Sequence, residues 1–380
     1  MKEGWRIFFR RKSEKTPIEV IKEELKRRKK ITIDKSLTKE EEMIIRQIKL
    51  KTKEWNKNNV TRTKAYLDFY QLHPEVHWAF LGHMVSRNGG WNMTDLKGEL
   101  LSNLLSRKEK SSFFSFLERG NWLIFEDAYP QFLLYQESFK RNKPLFSLFR
   151  FFNISIFMET VWSYFWRNQN KSLLTIALII NEQNHLEKRV VKNPVYISQV
   201  FNTLEFKLQD VLSFNHILFP YLDNGTLNVA GQTLNQFQSA HERILLGKRL
   251  YAVLFNKDVL KSAEQWAKSH PHTGSRKDYW PHIFNNVHEG LPGKKYEIRL
   301  KSCRLRPGAR KIYSPNLESV WKNVKHFESE EGEWFEDFQV LDYFIEKNEA
   351  LDGGILSEYC KTLERLELAA LAKKAIFIWD

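Results

Sequence analysis

From about Asn59 to residue 268 this chain is a succession of long apolar runs, repeating at every third or fourth position and separated by short polar breaks. That spacing lines one face of a helix, whereas the faces of a strand alternate every second residue. It predicts helices over residues 61–72, 74–87, 95–106, 112–141 with interruptions at Gly120 and Pro130, 145–167, 172–191, 197–219, 232–256 and 257–268. No regular strand–helix alternation occurs. The one strand signal lies where Tyr296, Ile298 and Leu300 alternate with charged residues before the turn residues Arg306-Pro307-Gly308, which predicts a short hairpin. Further helices are expected near 316–325, 336–349 and 354–374, with an acidic run at 328–337 ahead of the second. The fold class is all-α and multi-helical, with a minor β-hairpin near the C-terminal third.

At 380 residues, 42% apolar and 14% aromatic, the chain has enough material for two domains or one large one. No Gly/Ser-rich or Pro-rich linker divides it. The organisation expected is a basic helical N-terminal arm over 1–58, a main helical domain over 59–290, and a hairpin with C-terminal helices over 291–380 packed on the main domain.

The stretch 145–166 is long enough to span a bilayer, but Arg150 and Glu159 interrupt it. Each costs about 2.5–3.5 kcal/mol at a membrane centre, so it reads as a buried helix. The start of the chain lacks the apolar core of a signal peptide. The two cysteines, Cys303 and Cys360, have no zinc spacing and cannot build a disulfide framework, which fits a reducing cytoplasm.

The net charge of +14 is unevenly spread: residues 1–60 hold 19 Lys and Arg against 10 Asp and Glu, a net of +9, leaving +5 for the rest. Two capping boxes, Thr16-x-x-Glu19 and Thr38-x-x-Glu41, predict two charged surface helices there. Ahead of them, Trp5, Phe8 and Phe9 share one helical face while Arg6 and Arg10 lie away from it, and Arg11 and Lys12 follow in the same short segment. This pattern suits contact with an anionic surface, either lipid headgroups or nucleic acid, and the charge alone does not choose between them.

A polar stretch, SRNGGWNMTDL at 86–96, follows a helix that is apolar nearly all round yet carries His77 and His83. Gly89 and Gly90 read as a helix stop and Thr94 as the next cap. His73, His77 and His83 read as core or cap histidines. The segment RTKAYLDFYQLHPEVHWAFLGHMVSRNGGWNMTDLKG, with NHILFPY, RILLGKRLYAVLF and HTGSRKDYWPHIF, resembles the YppC-like family of uncharacterised proteins from Bacillus-type bacteria, over roughly residues 55–340. The resemblance implies a cytoplasmic bacterial setting and nothing about mechanism.

Familiar catalytic signatures are missing: there is no GxSxG, GxxxxGK[ST] or GxGxxG, and His241-Glu242-Arg243-Ile244-Leu245 has leucine where a zinc protease needs its second histidine. Two constellations remain. Glu182-x-x-His185 has the spacing of a carboxylate-bundle ligand pair, and with antiparallel packing Glu159, Glu205 and His241 would fall at similar depth, forming a divalent-metal site. In HPHTGSRKDYWPHIF (270–284), Arg276 and Lys277 oppose a metal, while His272, Thr273, Ser275, Arg276 and Lys277 could cradle an anion. The plainer reading of that loop is a turn whose Arg276 pairs with an acidic side chain elsewhere and whose Tyr279 and Trp280 enter the core.

Together these features predict a cytoplasmic binding or scaffold protein that engages an anionic partner through its N-terminal arm, without a cofactor, with the inner membrane surface open to it as a peripheral location. The alternative is a metal-dependent enzyme using the carboxylate/histidine set. Substrate and oligomeric state are not encoded legibly.

Overall fold

The computed structural model describes residues 15–30, 36–202, 215–223, 225–234, 236–290, 297–346 and 353–376. Both predicted capping boxes form: Thr16 and Glu19 start α1 (Pro17–Arg28), and Thr38 and Glu41 start α2 (Lys39–Trp55). Each helix buries a narrow stripe, Ile21 and Leu25 in α1, and Ile44, Ile45, Ile48 and Thr52 in α2. The described part of the basic N-terminal segment thus lies against the helical body, α1 on α6 and α2 on α5.

The centre is built by α3 (Asn59–Leu72), α4 (His77–Asp95), α5 (Arg107–Arg141), α6 (Ile156–Asn168) and α7 (Lys171–Leu186). Three expected breaks do not occur. α5 runs unbroken through Gly120 and Pro130, and α4 continues through Gly89 and Gly90 to Asp95. Gly90 is needed for close approach instead of termination: a Cβ there would lie 2.2 Å from Asn59 Oδ1 and 2.4 Å from His272 Nε2. The apolar stretch 145–166 is buried as expected but in two pieces. A 3₁₀ segment, Phe146–Phe152, ends at Asn153 with φ of 57°, and α6 then begins. No helix among the described residues is long and apolar enough to cross a membrane.

The largest departure from the expected helices follows α7. The chain passes through π-helical turns at Glu187–Val191 and Ile197–Phe201, and then forms an antiparallel hairpin in place of the end of the expected 197–219 helix and the start of the 232–256 helix. Strands β1 (His216–Asp223) and β2 (Thr226–Thr233) pair from His216↔Thr233 to Asp223↔Thr226. Asn224-Gly225 was the available signal, a turn dipeptide flanked by apolar runs. Gly231 is required by proximity, since a Cβ would stand 2.0 Å from the Ile217 carbonyl oxygen. Helices α8 (Ala240–Leu254) and α9 (Lys257–Ser269) follow.

The C-terminal portion is mostly irregular. Short strands β3 (Phe284–Asn285) and β6 (Ile312–Tyr313) pair in parallel, and β4 (Leu300–Lys301) with β5 (Arg304–Leu305) forms the expected hairpin. Its turn is Ser302-Cys303, both at positive φ, four residues before the expected turn. A single helical turn at Leu317–Val320 and a 3₁₀ turn at Gln339–Phe344 replace the helices expected near 316–325 and 336–349, whereas α10 (Leu356–Ile376) matches the last one. Cys303 and Cys360 are joined as a disulfide between the β4–β5 turn and α10, one crosslink where none was expected.

One ionic cluster ties this portion to the body. Glu367 on α10 accepts from the backbone N–H of Arg299 (3.0 Å) and of Leu300 (2.7 Å) and from Arg299 Nε (3.3 Å). Arg299 Nη1 reaches Glu99 Oε2 at 3.0 Å, and Glu99 also receives Arg310 Nη2 at 2.8 Å and the Tyr313 N–H at 3.1 Å. Arg299, Glu99 and Glu367 are all buried. Removing one member of such a cluster leaves a charge without compensation, which costs about 3–5 kcal/mol. Glu367→Ala should therefore lower the urea midpoint steeply, while Arg365→Ala, on the exposed side of the same helix, should stay within about 0.5 kcal/mol of the parent.

Candidate functional site

The 270–288 loop is bound up with its own neighbours. It leaves α9 at His270, turns at Gly274 with φ of 81°, and enters a 3₁₀ turn capped by Ser275. Arg276 is 3% exposed and faces inward. Its Nε and Nη2 approach Asp95 Oδ2 at 2.8 and 2.6 Å, and Nη1 donates to the Tyr279 and Tyr359 hydroxyls at 2.7 Å each. Burial alone would weaken the guanidinium's hold on its proton, but Asp95 and the two phenols raise it well above the ordinary arginine value.

Thr273 donates through its N–H and Oγ1 to Asp278 at 2.9 and 2.6 Å, and Ser275 Oγ donates to the Ser314 carbonyl. His272 has Nε2 on Asn59 Oδ1 at 2.8 Å and Nδ1 3.4 Å from Asp278, and burial lowers its pKa. Among the five residues considered for an anion, Lys277 alone is exposed, with Nζ on Asn286 Oδ1. The protein's own carboxylates, Asp95 and Asp278, stand where an external anion was expected. The reason is the uninterrupted α4, which carries Asn92, Thr94 and Asp95 to the loop: Asn92 and Asp95 meet Arg276, and Thr94 Oγ1 donates to the Gly274 carbonyl. Tyr279 and Trp280 are core residues, as the plainer reading had it.

The polar stretch 86–96 has a second duty. Asn88 accepts from Leu218 N–H at 2.8 Å and donates to Leu218 O at 2.9 Å, satisfying the β1 backbone from α4. The histidines beside it are core or cap groups. His73 closes α3, His77 Nδ1 meets Tyr251 OH at 2.7 Å, and His83 Nδ1 meets Thr63 O at 2.8 Å.

The carboxylate/histidine set does not gather. Glu159 pairs with Arg28 of α1. His185 faces Asp127, with Nδ1 at 3.9 Å from Oδ1, and burial pushes its pKa down to about 3. His241 is half exposed at the start of α8, with Nδ1 3.3 Å from Tyr343 OH. Glu205 lies outside the described residues, and the layer imagined for it lacks the full 197–219 helix. Among the described residues no three His, Cys, Asp or Glu side chains stand together as metal ligands.

Glu182 is the exception in environment. It lines a partly open cavity of about 230 Å³ bounded by α3, α4, α5, α7, β1 and α8, and burial pushes its carboxyl up to about 7. Asp127, also on the inner side of the bundle, is likewise pushed up to about 7 by burial, although the Asn181 and Gln131 amides donate to it at 2.5 and 2.8 Å. The sequence gives no motif for either carboxyl group. The available hint was an acidic residue inside an otherwise apolar helical run.

Trp5, Arg6, Phe8, Phe9, Arg10, Arg11 and Lys12 lie outside the described residues. The adjoining basic surface is described. The acidic 328–337 run crosses α1, where Lys29 donates to the Glu336 carbonyl and stands over the Phe335 ring at 4.8 Å. On α2, the solvent-facing line Lys39, Met43, Arg46, Leu50, Lys53 follows four- and three-residue steps, and Met43 and Leu50 are 52% and 59% exposed.

Residues 54–354 match the family described as "Protein of unknown function (DUF2515)". The chain is 44% identical over 235 residues to the uncharacterized protein YppC of Bacillus subtilis (strain 168), covering 62% of this chain and 72% of that protein. No solved structure matches it. With most of its length matched by the family's pattern, the chain belongs to the family of proteins of unknown function called DUF2515.

Proposed function

We propose that this is a binding protein that attaches peripherally to an anionic lipid surface, such as the inner face of a bacterial membrane, through its basic N-terminal segment. The carrying observation is the outer line of α2, where exposed Met43 and Leu50 alternate with Lys39, Arg46 and Lys53. A solvated charged helix has no need of large apolar groups on its wet face, whereas an interfacial helix uses them beneath the headgroups while lysine and arginine meet the phosphates. The inner stripe of Ile44, Ile45 and Ile48 fixes α2 to the body, so this face is preorganised.

Magnitude argues for cooperation between α2 and the first twelve residues. Each basic residue at an anionic leaflet contributes about 1 kcal/mol, so the three on this outer line, Lys39, Arg46 and Lys53, give only millimolar-range attraction even with some apolar help. Arg6, Arg10, Arg11 and Lys12 add about as much again, bringing the sum toward the micromolar range. Nucleic acid would exploit the charges equally but gains little from Met43 and Leu50.

The full chain should co-sediment with phosphatidylglycerol-rich vesicles at low salt, show little binding to phosphatidylcholine vesicles, and be released by high salt as screening shortens the attraction. Deleting residues 1–12 should weaken binding about tenfold or more. Equal binding by the truncated chain, or complete displacement from vesicles by duplex DNA, would overturn the membrane reading, the latter in favour of nucleic acid.

A second measurement isolates α2. The Met43→Ser/Leu50→Ser chain retains every positive charge, so its vesicle affinity should fall several-fold while any affinity for duplex DNA stays constant. An unaltered vesicle affinity would remove α2 from the docking face.

A further inference from the structure

We propose that the cavity beside Glu182 binds a small lipophilic amine, with its ammonium on the Glu182 carboxylate and its apolar body among Val85, Ile124, Ile179 and Leu246. The walls are overwhelmingly hydrocarbon, and at about 230 Å³ the space exceeds what packing faults leave in a close-packed interior. An apolar cavity of about 150 Å³ takes a benzene ring, so this one suits a bicyclic ring with a short arm.

Gly120 supplies an independent observation. Glycine inside a helix costs about 1 kcal/mol relative to alanine, and it is normally retained where a Cβ would collide. Gly82 and Gly247 fit that rule, since a Cβ would lie 2.7 Å from the Trp78 ring or 2.6 Å from Ile179 Cγ2. At Gly120, in the middle of α5 and on the cavity wall, a Cβ would meet nothing within 4 Å among the described residues. The glycine there preserves empty space.

The charge balance selects a cation. Two arginines border the cavity, and each already has a carboxylate partner, although Arg62 Nε is buried with no hydrogen-bond partner among the described residues. Arg62 pairs with Glu118 at 2.5 Å and donates to Asn56, while Arg243 pairs with Glu187 at 2.6 Å and donates to Gln183 and the Phe237 carbonyl. Among the described residues Glu182 receives the neighbouring Gln183 amide and the Trp78 indole, and no lysine or arginine forms an ion pair with it, although the more distant Arg243 charge favours its ionised form. A carboxyl group held by neutral donors in a hydrocarbon cavity gains most from a ligand that carries its own positive charge, which compensates the desolvation that ionisation costs.

The charged and titratable groups facing Glu182 are Arg243 from α8, Asp127 from α5 and Tyr66 from α3. With burial pushing Glu182 up to about 7, the free protein holds a proton there at lower pH, and a bound ammonium must displace it. Amine affinity should thus fall as pH drops below about 7, approaching tenfold per unit.

Isothermal titration of the full chain with tryptamine, indole and indole-3-acetate tests this. Tryptamine should saturate one site, bind about tenfold or more tighter than indole, exclude indole-3-acetate, and weaken between pH 8 and pH 6. Gly120→Leu fills the cavity on a helix-favouring residue and should abolish tryptamine binding in a chain that still melts cooperatively. Glu182→Gln should erase the preference for tryptamine over indole and flatten the pH dependence. The proposal is overturned by any of three results: no saturation with tryptamine, indole-3-acetate binding as tightly as tryptamine, or unchanged tryptamine affinity in Gly120→Leu.

Discussion

Buried arginine–carboxylate ties are the constraint on which the rest of the architecture depends. Arg62–Glu118 joins α3 to α5, Arg243–Glu187 joins α8 to the end of α7, Arg276–Asp95 joins the 270–288 loop to α4, and Arg299 links Glu99 to Glu367 of α10. Every one of these arginines is at most 5% exposed. Hydrocarbon packing is non-directional and would tolerate several arrangements of so many similar helices, whereas a desolvated guanidinium is satisfied only in the arrangement that brings its carboxylate. The ties therefore select among packings more than they add to stability, and they occur where an irregular segment or a second helix must dock in one register.

This explains what was legible in the sequence and what was not. Apolar periodicity locates α3, α5, α7, α9 and α10 because it depends on local spacing alone. It fails at Gly89-Gly90, since the same glycines that can end a helix also let Asn59 and His272 approach α4. It fails again over HILFPYL, where a strand with neighbours on both faces shows a continuous apolar run that spacing cannot distinguish from a helix. The Asn224-Gly225 dipeptide carried the missing information.

The same limits apply to the site. An acidic partner for Arg276 could be anticipated in kind, but its identity as Asp95 depends on α4 running eight residues past Arg87. The Glu182-x-x-His185 spacing is real, yet the two side chains meet different surroundings: Glu182 lines the cavity and His185 faces Asp127. A cavity bounded by five helices and a strand has no linear signature. Its traces in the sequence are single residues, an acidic group in an apolar run and a glycine in mid-helix.

The buried carboxyl groups divide into two electrostatic kinds, and pH acts on them in opposite directions. Burial disfavours the charged form of Glu118, but Arg62 and His326 outweigh it and hold its pKa below the usual value. The folded state then binds that proton less readily than the unfolded chain does, so its contribution is present above the ordinary carboxyl range and lost as pH falls through the lowered folded value. Asp278 behaves likewise through His272 and Thr273. For Asp127 and Glu182 burial prevails, and both are pushed up to about 7. The folded state binds those protons more readily, so their contribution is present at acidic pH and declines as pH rises from about 4 toward 7. Arginine-paired carboxylates thus lock the helices near neutrality, while the carboxyl groups without a direct arginine partner are destabilising in their ionised form. An uncompensated Glu182 beside open space is a cost that packing alone could have removed by substituting glutamine, and its presence at the cavity wall gives that wall a chemical specificity that its hydrocarbon surroundings lack.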